Sequence, residues 1–141
     1  MKPLLIPEKD NSPAIRFDPD TNHLSLSGDS TPENCMEFYK PVIQWLENYR
    51  ALLYYRNRNT QRRQTMKLEI RLNYFNTTSA KFLLEILKIS KSIGSDGHEV
   101  ELIWFYENDD QDMKDAGMEM AELANVNLVF VMLDRCAPAV I

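Results

Sequence analysis

The sequence predicts an α/β domain built on a mixed β-sheet. From residue 30 onward, one alternating stretch and two apolar runs, each of strand length, are interleaved with stretches whose apolar residues recur every three and four positions. Before residue 30, two short strand-like stretches stand back to back, the pattern of an antiparallel hairpin. At 141 residues, 44% hydrophobic and 26% charged, the chain has the size and composition of one domain whose core needs no disulfide or metal. The expected order is β-β-α-β-α-β-α-β, one domain over residues 1–141, with right-handed crossovers between parallel strands.

Ala14, Ile15 and Phe17 form the first expected strand, ended by the turn cluster Asp18-Pro19-Asp20-Thr21-Asn22. His23-Leu24-Ser25-Leu26-Ser27 alternates and stops at Gly28-Asp29. Ser30 and Glu33 fit a capping box around Pro32, and Phe38, Tyr39, Val42, Trp45, Leu46, Tyr49 and Leu53 then mark an amphipathic helix. Pro41 inside that run removes a helix hydrogen bond, so a bend near Phe38 or a helix in two pieces is expected. Residues 54–66 lack an apolar period and carry Arg56, Arg58, Arg62 and Arg63, which reads as a flexible arginine-rich loop.

Leu68, Ile70, Leu72 and Tyr74 give the next strand, followed by Asn76-Thr77-Thr78-Ser79 and a helix over about Ala80 to Ile93. Gly94-Ser95-Asp96-Gly97 ends it. The apolar runs Val100 to Tyr106 and Leu128 to Leu133 read as strands buried on both faces. Between them Asp109-Asp110-Gln111-Asp112 opens a helix that packs through Met113, Ala116, Gly117, Met120 and Ala124.

Composition excludes several kinds of chemistry. His23 and His98 are the two histidines, too few for a histidine-based metal centre or a Ser-His-Asp triad. The four glycines form no phosphate-cradling loop. Asp110-x-Asp112 begins like a calcium loop, but Lys114 takes the next ligand position and the turn glycine is missing. The acidic stretch Glu107 to Asp115 therefore reads as a solvated helix start, which also permits docking of a basic partner. No cofactor is expected. The net charge of −5 argues against nucleic acid as the main partner. No stretch is apolar for long enough to span a bilayer, and Met1 to Asp10 lacks a signal-peptide core, so a cytoplasmic location is expected. That leaves the Asn76-Thr77-Thr78 sequon idle, and it makes Cys35 and Cys136 buried small hydrophobes.

Asn76-Thr77-Thr78-Ser79 is the remaining candidate site, placed where a strand hands over to a helix. Three hydroxyls and an amide stand together there, and one of the four is expected to cap the helix. A phosphate on another would sit at the positive end of the helix dipole, with Lys81 as a counter-ion in the first turn. Thr77 and Thr78 are not distinguished by these considerations.

Several stretches together resemble the SiaC family of bacterial regulatory phosphoproteins, whose fold resembles the STAS domains of anti-sigma-factor antagonists. They are Ser12-Pro13-Ala14-Ile15, Gly28-Asp29-Ser30 with Pro32-Glu33-Asn34, and Glu37-Phe38-Tyr39-Lys40-Pro41. The series continues with Trp45-Leu46-Glu47, Tyr74-Phe75-Asn76-Thr77-Thr78-Ser79, and Trp104-Phe105-Tyr106-Glu107 with Asp109-Asp110 and Met113. The resemblance implies a STAS-like partner switch and no enzymatic activity. It implies a dedicated kinase that phosphorylates Thr77 and a PP2C-type phosphatase that reverses it. The unphosphorylated form would bind and activate an effector such as a diguanylate cyclase, raising cyclic di-GMP and favouring biofilm growth. Asn76, Thr78, Ser79 and Lys81 would shape the phospho-loop, and Asp29, Ser30, Glu33 and Asn34 are expected as further partner contacts on the same edge. The competing expectations are an RNA- or membrane-surface adaptor acting through Arg56 to Arg63, and a small phosphate-ester enzyme.

Overall fold

The computed structural model describes residues 1–60 and 64–134. Strands β1 (Leu4–Ile6), β2 (Ala14–Asp18) and β3 (His23–Ser30) come first, followed by helix α1 (Cys35–Thr60). Then β4 (Thr65–Phe75), α2 (Thr77–Ser95), β5 (Glu99–Glu107), α3 (Gln111–Ala124) and β6 (Val129–Leu133) alternate. One sheet holds all six strands in sequence order: β1, β2 and β3 are antiparallel, and β3 to β6 are parallel.

This order places all three helices on one face. Each crossover moves one strand onward in the same direction, and right-handed crossovers of that kind stack their helices on a single side. The registers agree, since Phe17, Leu24, Leu68 and Leu102 lie side by side across β2 to β5 and all are buried. Their neighbours Arg16, Ser25, Glu69 and Ile103 line up on the opposite face. A sheet of mixed α/β topology with one covered face results, and the core lies between sheet and helices.

Five expectations need correction. Leu4–Ile6 is an additional strand, held short between Pro3 and Pro7 as an edge strand tolerates. Helix α1 begins at Cys35, because Asn34 rather than Ser30 caps it: Asn34 Oδ1 accepts from Glu37 N at 3.0 Å, and Asn34 Nδ2 donates to Glu37 Oε2 at 3.3 Å. Ser30 ends β3 instead. Pro41 does not divide α1; it is exposed, so the carbonyl its missing N–H leaves unpaired belongs to the solvent side of the helix.

The flexible loop over 54–66 is also wrong. Residues through Thr60 continue α1, Thr65 already starts β4, and Arg62 and Arg63 lie outside the described residues. The final turns of α1 carry few apolar side chains because they reach past the core, and Arg58 lies over the Tyr54 ring one turn back. Finally, β5 and β6 are not buried on both faces. Strand β6 is an edge with Val129 and Met132 half exposed, and the guanidinium of Arg71 covers Phe105 at 5.0 Å on the face without helices.

The third helix packs closely on the sheet through Gly117. A Cβ at this position would stand 2.6 Å from Trp104 Nε1 and 2.8 Å from Phe130 Cε1. Trp104 is fixed in turn by donating to Met113 O at 3.0 Å. Gly117→Ala should therefore lower stability by about 1–3 kcal/mol despite the better helix propensity of alanine. Urea unfolding checks this; an unchanged midpoint would show that α3 can lift without cost.

Candidate functional site

The parallel strands all point their carboxyl ends to one edge, where Ser30 of β3 and Phe75 of β4 are neighbours. A bulge between Gly28 and Asp29 shifts the register so that Asp29 pairs with Tyr74. Gly28 adopts φ +113°, and a Cβ there would strike the Glu8 carboxylate. Because the strand order never reverses, no open crevice forms between diverging crossovers as in doubly wound sheets. The edge offers the start of α2 instead.

Asn76 caps that helix: its Oδ1 accepts from Ser79 N at 2.8 Å, and its own N–H donates to Ser30 O at 3.1 Å. Of the four polar side chains offered as caps by the sequence, the amide of Asn76 takes the role. Thr77 and Thr78 become the first two helical residues. Both are exposed, and their N–H groups have no acceptor among the described residues.

Ser79 faces the interior. Its hydroxyl donates to Ser30 O at 2.9 Å, and Ser30 Oγ donates to Ser79 Oγ at 2.9 Å. With the Ser30 proton so committed, the Tyr39 phenol is the donor in its bond to Ser30 Oγ. Cys35, also buried, places Sγ 3.5 Å from Ser79 Oγ and 3.8 Å from Asn76 Oδ1. Ser30 and Ser79 are wholly buried, which removes Ser30 from the expected partner contacts. They hold the loop from inside. Glu33, Asn34, Thr77, Thr78 and Lys81 are exposed, and Asp29 and Asn76 are partly so, all on the same edge.

Burial pushes the Tyr39 phenol up to about 12, against a smaller opposing effect of the Ser30 hydrogen bond. Burial also raises Tyr49. Both rings stay neutral through the physiological range.

Sequence reasoning missed a groove of about 380 Å³ between α2 and α3. Phe75, Ala80, Leu84 and Met120 supply apolar surface, and Thr77, Lys81 and Glu119 supply polar groups. The apolar spacing of each helix was legible, but the gap between two helices depends on side-chain volumes across the sheet. At the other end of the molecule, α1 delivers Arg56 and Arg58 to the amino edge, opposite Thr77. Among the described residues, no group of three or more histidine, cysteine and carboxylate side chains could hold a metal. No helix there is long and apolar enough to cross a membrane.

The model of the SiaC family, described as regulatory phosphoproteins, matches residues 6–133. This chain belongs to the SiaC family. An uncharacterized protein of Pseudomonas aeruginosa (strain UCBPP-PA14) is 32% identical over 122 residues, covering 86% of this chain and 90% of its own length. The crystal structure of apo-SiaC from Pseudomonas aeruginosa, 32% identical, covers 94% of this chain and 98% of that one with a TM-score of 0.75. A second match, 31% identical, is in the crystal structure of the diguanylate cyclase SiaD in complex with its activator SiaC from the same organism. It covers 92% of this chain and 99% of that one with a TM-score of 0.79.

The capping geometry predicts unequal costs. Asn76→Ala should destabilise by about 1 kcal/mol, whereas Thr78→Ala should stay within about 0.5 kcal/mol. Denaturant titration of both variants distinguishes a capping amide from a capping hydroxyl. The raised phenol gives a second expectation. Its stabilising contribution is complete below pH 10 and is lost as pH rises toward 12, so stability falls across that window. Tyr39→Phe should make the alkaline decline shallower, with Tyr49 supplying the remainder; an unaltered decline would contradict the assignment.

Proposed function

We propose that this chain is a cytoplasmic partner switch whose phosphoacceptor is Thr77. A cognate kinase phosphorylates that threonine and a PP2C-type phosphatase restores it. The unphosphorylated form binds and activates an effector, by analogy with the SiaD–SiaC complex a diguanylate cyclase. The supporting observation is the position of Thr77: exposed, first in α2, and lining the apolar groove.

The free amides of the first turn and the helix dipole accommodate a phosphate of about −1.5 to −2 charges there. Lys81 lies one turn further along α2 and supplies a counter-charge. The modification is thereby compatible with the fold. It is not compatible with an apolar side chain seated beside Thr77, because the phosphate would have to give up water. Each 1.4 kcal/mol of that penalty weakens binding about tenfold. Thr78 points from the next helical position and does not line the groove, which favours Thr77. Exposed Leu123 lines the same groove and exposed Tyr74 lines the hollow beside it, and both offer further contact area.

Phosphosite mapping by mass spectrometry on protein purified from its host should find phosphate on Thr77. In a pull-down, Thr77→Ala should retain the effector and Thr77→Asp should weaken it at least about tenfold. Identical partners for both variants, with no phosphate under several growth conditions, would reduce the segment to helix capping.

A further inference from the structure

We propose that two copies of this chain associate through the β6 edge, pairing their β6 strands antiparallel about Phe130. The two edges of the sheet are built differently. Strand β1 is three residues long and stopped by Pro3 and Pro7, which blunts it against further pairing. Strand β6 reads Val129-Phe130-Val131-Met132-Leu133, with no charge, proline or glycine. Val129 and Met132 are 50% and 57% exposed, and no described strand pairs with the outer side of β6.

The backbone direction fixes which groups face outward. Leu133 O accepts from Asn108 N at 3.0 Å, so Leu133 turns its peptide groups toward β5. Those directions alternate along a strand, so Phe130 and Met132 turn theirs to the free edge. In an antiparallel pair centred on Phe130, each Phe130 exchanges its N–H and C=O bonds with Phe130 of the second copy. Val129 then stands beside Val131 of the second copy on the open face, a β-branched pair.

Helix α3 supplies the rest of the surface, and its charges select a second copy as the occupant. Gly117 packs against Trp104 of β5 and Phe130 of β6, which centres α3 above the gap between those strands. Neighbouring strands lie about 4.8 Å apart, so the pairing sets the two α3 axes roughly 10 Å apart, within reach of helix packing. The flank of α3 away from the groove carries Lys114, Met118 and Glu122, spaced one turn apart. Met118 is 54% exposed and, next to Gly117, meets its counterpart at the twofold axis. Because the helices run antiparallel, Lys114 of each copy faces Glu122 of the other. Lys114 Nζ stands 5.5 Å from the centre of the Tyr106 ring, and Tyr106 pairs with Met132, which holds the cation on the β6 side.

The surface is thus complementary to itself in hydrogen bonds, apolar contact and charge, as a twofold interface requires. Pairing consumes both β6 edges and β1 is blunted, so assembly closes at two copies instead of growing into a fibre. The groove beside Thr77 lies across α3 and stays open in each copy. One short strand and one helix flank cover less than the roughly 1,200 Å² of stable complexes, so the association is weak and depends on concentration.

Sedimentation equilibrium of the full chain, from about 5 µM to about 500 µM, should show the mass rise from one chain to two. Lys114→Glu or Glu122→Lys alone should weaken association at least about tenfold, and the two together should restore it. Met118→Lys, which sets like charges at the axis, should abolish it. None of these side chains is buried, and circular dichroism checks that each variant folds. A chain that stays monomeric across the range would overturn the proposal, as would a double variant no better than the single ones. Hydrogen exchange separates a rival occupant. Protected Phe130 and Met132 amides in a monomer would give the edge to residues 135–141 and overturn the proposal as well.

Discussion

The site depends on a closed chain of buried hydrogen bonds beneath the start of α2. Tyr39 donates to Ser30, Ser30 to Ser79, and Ser79 back to the Ser30 carbonyl, which also accepts the Asn76 amide. Three elements meet there: the end of β3, the first turns of α1 and the cap of α2. Each hydroxyl donates once and no buried polar atom of the set is left over, the condition under which such a network stabilises rather than costs. The Tyr39 ring also stacks on Phe82 of α2, with centroids 5.2 Å apart. Polar satisfaction and aromatic packing thus fix the same joint.

That joint separates two roles within four consecutive residues. Asn76 and Ser79 turn inward and hold the cap, while Thr77 and Thr78 remain on the surface with uncommitted amides. A charge can therefore be added at Thr77 without disturbing the bonds that keep the loop in place. On the proposed reading, the hydrophobic floor of the groove would convert that charge into a change of affinity. A switch of this kind needs no large movement; it needs a rigid edge and an interface that tolerates a hydroxyl but not a phosphate.

Much of this was legible in the sequence. Short apolar stretches and alternation located β2 to β4, continuous apolar runs located β5 and β6, and helical spacing located all three helices. The family motifs directed attention to Thr77. What escaped was set by tertiary context. Leu4–Ile6 is too short to show a period and exists only by pairing with β2. The end of α1 looked like a loop because its residues have no core to face. Ser30 suited a helix cap in sequence, yet the strand carried it into the interior, and Asn34 took the cap. The apolar runs of β5 and β6 suggested two covered faces; the constant direction of the crossovers left one open. The groove followed from none of these patterns, since it lies between helices distant in sequence.

The central claim is that phosphate at Thr77 removes binding while leaving the fold unchanged. Calorimetric titration of the captured effector into the chain carrying phosphothreonine at 77, beside the unmodified chain, measures this directly, with circular dichroism and denaturant unfolding run on both. The account predicts an affinity lower by at least about tenfold and superimposable folding curves. Equal affinities would contradict it, as would a loss of affinity that tracks an unfolded α2.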